Sequence, residues 1–252
     1  MSMLFMHTPG SHRVTLDQLR HLPTPEPMGT RHLPVPHWRL IDEIENQVSD
    51  RGIRVVRREL GISQKGARVF GTMQLHGPEA GEGTGPCFGF RSSTNQSFAI
   101  RGVAGARVFV CDNLMLSGTE HVLSRKHTTL LNLPEIVSRA LNKFLDQSKQ
   151  LFLDIEMMKN NWLSDQTAKL RIFNLFQKGA MPLHLFDDVC RYYFDTQDDQ
   201  PDCQPRSMYG LHNACTRAIK VLKPAAQFSS TIDVGRQFHL ATGDHTGLLT
   251  AS

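Results

Sequence analysis

The periodicity of apolar residues changes once along this chain, near Thr128, and that change restricts the fold more than any single motif does. Upstream, residues 53–60 and 67–75 are rich in β-branched and apolar side chains. The polar sequence Gly61-Ile62-Ser63-Gln64-Lys65-Gly66 separates them, which predicts a β-hairpin. Residues 87–91 and 97–100 flank the turn-like Ser93-Thr94-Asn95-Gln96, and residues 106–111 are apolar enough for a buried central strand. Connections this short exclude parallel crossovers, so the strands are expected to form an antiparallel sheet confined largely to residues before Gly118. Between them, the glycine-rich run 77–85 reads as a mobile loop.

Downstream, Asn132 and Pro134 open a helix whose apolar face is Val137, Leu141, Phe144, Leu151, Ile155, Met158 and Trp162. About 30 residues give it a length of roughly 45 Å. Ser164 is placed to cap a second helix ending at Lys178 and Gly179. Residues 183–194 predict a third. A last helix over residues 207–223 runs through Met208, Leu211, Cys215, Ala218 and Leu222 and stops at Pro224. The stretch 195–202 between these two is an acidic loop broken by Pro201. Strands followed by helices predict an α+β fold, with an antiparallel N-terminal sheet packed against a mainly helical C-terminal half.

At the N-terminus, Pro23, Pro25, Pro27, Pro34 and Pro36 break regular structure, so residues 1–36 read as an extended lead-in. A short amphipathic helix follows, with Trp38, Ile41, Ile44 and Val48 on one side and Gly52 at its end. The expected organisation is thus a lead-in (1–36), one domain (37–223) and a tail (224–252). A chain of 252 residues, 40% hydrophobic and 21% charged, buries a substantial core. Its five cysteines form no CxxC pair, which argues against a disulfide framework and a zinc site. Without a run of roughly 18 apolar residues or a signal-like start, a cytoplasmic location and no membrane partner are expected.

The net charge of +4 is unevenly distributed. Lys and Arg outnumber Asp and Glu by 15 to 11 up to Leu130 and equal them, 13 to 13, beyond it. Arg51, Arg54, Arg57, Arg58, Lys65 and Arg68 crowd a stretch whose single acid is Glu59, a pattern suited to a polyanion. Arg91, Ser92 and Ser93 together supply several donors for a phosphate, as do Arg125, Lys126, His127 and Thr128; a solvated loop is the alternative for each set. Asp112 and Asn113, after Cys111, read either as ligand contacts or as turn residues satisfying backbone amides, with the turn favoured. Twelve histidines occur, yet His7, His12, His21, His32 and His37 lack carboxylates at ligand spacing and His121 and His127 lie six apart, so no metal and no cofactor are expected. Cys111 has no local basic activator.

Gly89-Phe90-Arg91-Ser92-Ser93, then Val108-Phe109-Val110-Cys111-Asp112-Asn113-Leu114, Ser117-Gly118, Arg125-Lys126-His127-Thr128 and Tyr209-Gly210-Leu211-His212-Asn213-Ala214 occur in that order. Together these blocks resemble the phage/plasmid-like family known as domain of unknown function 932, over residues 37–223. The resemblance implies a setting in phages, plasmids and integrated elements, and it brings no established reaction. The order of helix, basic hairpin, further strands and long helix is also similar to the core of single-strand annealing proteins of the phage recombinase type. The expected function is nucleic-acid binding, with single-stranded DNA as partner, in annealing or protection during recombination. Arg54, Arg57, Arg58, Lys65, Arg68, Arg91, Arg125 and Lys126 are its expected contacts, Phe70 its main stacking ring. The alternative is a nucleotide-directed enzyme or an anti-defence interaction protein, with Asp112, Asn113 and His127 around a pocket. Homo-oligomerisation is compatible with either.

Overall fold

The structure, a computed structural model, describes residues 11–23, 25–76, 84–108, 114–116, 122–195 and 206–240. Its fold is α+β. Strands β1 (Ser11–Arg13), β2 (Arg54–Ser63), β3 (Arg68–His76), β4 (Thr84–Ser93), β5 (Ile100–Val108), β6 (Leu114–Leu116) and β7 (Leu123–Arg125) form one sheet. Every pairing is antiparallel, in the order β1-β2-β3-β4-β5, and β6 and β7 share the remaining edge of β5 at residues 105–107 and 100–102. The helices are α1 (Leu16–Arg20), α2 (His37–Asp50), α3 (Leu133–Asn160), α4 (Asp165–Gln177), α5 (Phe186–Phe194), α6 (Met208–Ile219) and α7 (Pro224–Gln237).

The β2–β3 hairpin turns later than the polar run suggests. Gly61, Ile62 and Ser63 stay in the ladder, and the chain reverses over residues 64–67. Gln64, Lys65 and Gly66 all take positive φ, which concentrates the turn in three residues. One sheet face carries Leu60, Val69, Met73, Leu75, Phe88, Phe90, Ile100 and Ala104 and packs on α2 and the first half of α3. Gly71 lies on this face because a Cβ there would collide with the Phe90 ring and with Leu60. The second half of α3 belongs to a separate, helical core: Leu151, Ile155 and Met158 pack with residues of α4, α5, α6 and α7. Asn132 caps α3 and Ser164 caps α4 as expected, whereas Trp162 is 62% exposed and lies beyond the end of α3 rather than on its apolar face.

Both ends of the chain differ from their sequence reading. Residues 11–20 lie ahead of Pro23 and fold: β1 pairs with β2, and α1 begins with a capping box between Thr15 and Gln18. Pro224 stops α6 in the sequence reading, but it stands in the first turn of α7, where a missing N–H costs nothing. Helix α7 lays Phe228 and Ile232 on the outer face of the sheet, against Phe70, Cys87 and Val103. Most of the glycine-rich run, the Cys111-Asp112-Asn113 segment and nearly all of the acidic loop lie outside the described residues. Among the described residues no helix is long and apolar enough to cross a membrane.

Phe144 is 1% exposed and meets the Phe88 ring edge-on at 5.5 Å. Phe144→Ala should therefore cost about 3 to 5 kcal/mol, read as a lowered urea midpoint at constant slope. Gly71→Ala should also lower the midpoint, because the added methyl group has no space opposite Phe90.

Candidate nucleic-acid interface

Strand alternation decides which cations can act together. A β-bulge between Val55 and Arg57 brings Arg57 onto the outer face with Arg54, while Arg58 points to the helix side. Two of these arginines are already engaged: Arg57 pairs with buried Glu59 at 2.7 Å, and Arg58 pairs with Glu45 of α2. Arg68 shares the outer face with Arg54 and Arg57 but sits at the other end of the strands, roughly 20 Å or more away. The expected continuous basic surface across the hairpin is therefore interrupted, by distance and by Glu59. Arg91, Ser92 and Ser93 do not converge either, because successive strand residues face opposite sides. Ser93 Oγ accepts from the Phe98 amide at 3.1 Å and donates to Asn95 Oδ1, which shapes the β4–β5 turn.

Ser92 points to the helix side and meets His127, Oγ to Nε2 at 3.0 Å. The Val35 amide donates to His127 Nδ1 at 2.8 Å, so the ring carries its proton on Nε2 and donates it to Ser92. This tautomer cannot take a proton from the serine. The pair is a structural lock, and a nucleophilic serine with a histidine base is not what the geometry provides. His32 accepts at Nδ1 from the Met28 amide, and His37 Nε2 donates to the Gly66 carbonyl. These three buried rings tie the lead-in to the sheet, helped by Gln96 donating to the Met28 carbonyl and the Thr129 amide donating to the Arg31 carbonyl.

Between these ties lies a recess of about 580 Å³. Its walls come from residues 28–32, 96–99 and 126–128. Arg31 and Lys126 are exposed at it, Thr30, Ser97 and Thr128 add hydroxyls, and the half-buried Phe98 ring forms part of the wall. Among the described residues no carboxylate lines it. Behind Phe98, on the outer face, the Arg91 and Arg68 guanidiniums stand 4.8 and 5.5 Å from the ring centroid. Lys65 and Arg125 are exposed at the same end of the sheet, and Arg125 donates to the Ser124 carbonyl.

Of the expected contacts, the structure thus gathers Lys65, Arg68, Arg91, Arg125 and Lys126 near one end and leaves Arg54, Arg57 and Arg58 away from it. Phe70 is 2% exposed under α7 and has no face to offer a base; the accessible ring is Phe98, which it touches at 5.6 Å. Asp112 and Asn113 lie outside the described residues. Arg31, Gln96 and Phe98 were not legible as site residues, since nothing in the lead-in or the turn signals that they meet. Among the described residues, no group of three or more His, Cys, Asp and Glu side chains is arranged to hold a metal ion. Comparison with family models, curated proteins and solved structures finds no match, so the resemblance to the phage/plasmid-like family rests on the residue blocks alone.

Burial pushes His37 and His127 down to about 4, the latter with help from the neighbouring His37 and His32 rings. Both are neutral in the fold, whereas the unfolded chain takes up protons near pH 6.5. Their contribution to stability is complete above about pH 6.5 and is lost as the pH falls toward about 4, at up to about 1.4 kcal/mol per pH unit for each ring. Urea midpoints measured from about pH 7.5 down to about pH 4.5 should fall steadily, and His127→Gln should flatten part of that slope.

Proposed function

We propose that the protein binds nucleic acid, single-stranded DNA in particular, at the basic end of its sheet. The observation that carries this reading is the recess that joins Arg31, Lys126 and the Phe98 ring with no carboxylate among the described residues of its wall. An unpaired strand needs cations along its phosphates and a ring against which a base can stack. A duplex keeps its base faces covered, so an aromatic surface set back in a recess favours an unpaired base. The volume is also of the size that receives one small ligand or nucleotide unit. Lys65 and Arg125 extend positive charge beyond the recess and give a strand somewhere to continue. A role in annealing or protecting single strands for a mobile element, inside the cytoplasm, completes the proposal and follows from the resemblance of the sequence blocks. The enzyme alternative is less well supported, because His127 is fixed as a donor to Ser92 and no acid/base pair lines the recess among the described residues.

Fluorescence anisotropy with a labelled oligothymidine, titrated at several salt concentrations, tests this reading. Arg31→Gln with Lys126→Gln should weaken binding and flatten the salt dependence by roughly 0.7 per lost phosphate contact. Phe98→Leu should cost about 1 to 3 kcal/mol of binding with little change in salt slope. Arg54→Gln with Arg57→Gln, at the far end, should leave affinity nearly unchanged. Unaltered binding in the first two variants, or a large loss in the third, would move the interface elsewhere.

A further inference from the structure

Near Phe98 the outer face of the sheet groups Arg68, Arg91 and Arg101, which no described acid neutralises. Arg91 of β4 lies directly opposite Arg101 of β5, and Arg68 of β3 shares the Phe98 ring with Arg91. Arg91 is only 8% exposed, its guanidinium lying 4.8 Å from the Phe98 ring centroid and 5.2 Å from that of Phe228. The Nε atoms of Arg68, Arg91 and Arg101 are all buried, and none has a hydrogen-bond partner. Strands β2 to β5 carry one carboxylate, Glu59, which lies two strands from Arg91 and is paired with Arg57. The N-terminal part of α7 lies beside these arginines through Phe228, while Ala225 packs on the neighbouring apolar cluster of Phe70, Cys87 and Val103, and that helix end has no side-chain cap.

We propose that Arg68, Arg91 and Arg101 form a binding site for a phosphoryl group on the outer face of the sheet, beside the first turn of α7. The inference goes beyond the nucleic-acid reading, because the site stands even if the recess binds no strand. With aromatic rings against its guanidinium, Arg91 recognises a ligand through in-plane N–H donors, which suits an oxyanion. Three guanidiniums on neighbouring strands offer more donors than the two oxygens of a carboxylate accept, whereas a tetrahedral phosphoryl group takes donors from several directions and carries the charge to balance them. Burial and the charge of Arg101 draw Arg91 down to about 10, so the cluster without its anion is under like-charge repulsion that a bound anion relieves.

Thermal unfolding of the whole chain in inorganic phosphate, from about 0.1 to about 10 mM at ionic strength held constant with chloride, tests the site. The wild type should gain about 3 to 5 °C, with a saturable dependence, once phosphate reaches about ten times its Kd. Arg101→Gln, on a half-buried side chain, should lose this gain and start from a higher midpoint because the repulsion is gone; Arg68→Gln serves if that variant does not fold by circular dichroism. If the variant also weakens oligothymidine binding, the group is a phosphodiester of the strand. If phosphate protection is lost while oligothymidine affinity is unchanged, the site takes a free phosphomonoester. Absence of phosphate protection in the wild type, or equal protection in wild type and variant, would overturn the site and leave the arginines as packing partners of the rings.

Discussion

Helix α3 belongs to two cores at once, and the rest of the molecule is arranged around that fact. Its first half, Leu133 to Phe144, fills the space between α2 and the sheet, and its second half, Leu151 to Met158, is the centre of the helical cluster. At 28 residues it is about 42 Å long, enough to serve both. The buried Ser148 lies between the two apolar segments. Because α2 and α3 cover only one side of the sheet, the other side needs its own cover. Helix α7 supplies it, but a single helix shields only the patch around Phe70, Cys87 and Val103. At the end of the outer face that carries Arg68, Arg91 and Arg101, no acid among the described residues neutralises the cations.

This division explains why a modest net charge of +4 conceals a strong local imbalance. At the Arg54 end of the hairpin, Glu59 and Glu45 answer the arginines, and the pairs hold the sheet to itself and to α2. At the other end, cations are arranged around rings. Neutral histidines stiffen that region without adding charge: His37 is anchored to Gly66, and His127 joins Val35 to Ser92. A recess whose walls are tied in this way is pre-organised, which lowers the ordering cost of binding.

Several elements could be read directly from residue types. The caps Asn132 and Ser164, the alternation of the hairpin strands and the long apolar stripe of α3 all follow from local rules, and all appear in the structure. The β2–β3 turn was misplaced by three residues because Gly61 looks like a turn residue, while it serves as a flat position opposite Phe70. Helix α7 escaped notice because Pro224 is equally at home ending one helix and starting the next. Phe70, the ring expected to be accessible, lies buried under α7, since position on a basic strand says nothing about whether a later helix will cover it.

The sequence by itself determined the fold class, the antiparallel sheet before the helices, and the surplus of cations in the first half, because periodicity, capping and charge are properties of neighbours in the chain. Only the tertiary structure decided which cations meet an acid and which meet a ring. Arg57 and Arg68 belong to the same basic hairpin; one meets Glu59, and the other stands against a ring set in the β4–β5 connection. Arg31, Phe98 and Lys126, nearly a hundred residues apart from first to last, reach one recess because buried histidines and strand register bring three segments together. Pairing energy depends on distance and burial, and both are fixed by contacts between residues far apart in the chain, which no local pattern encodes.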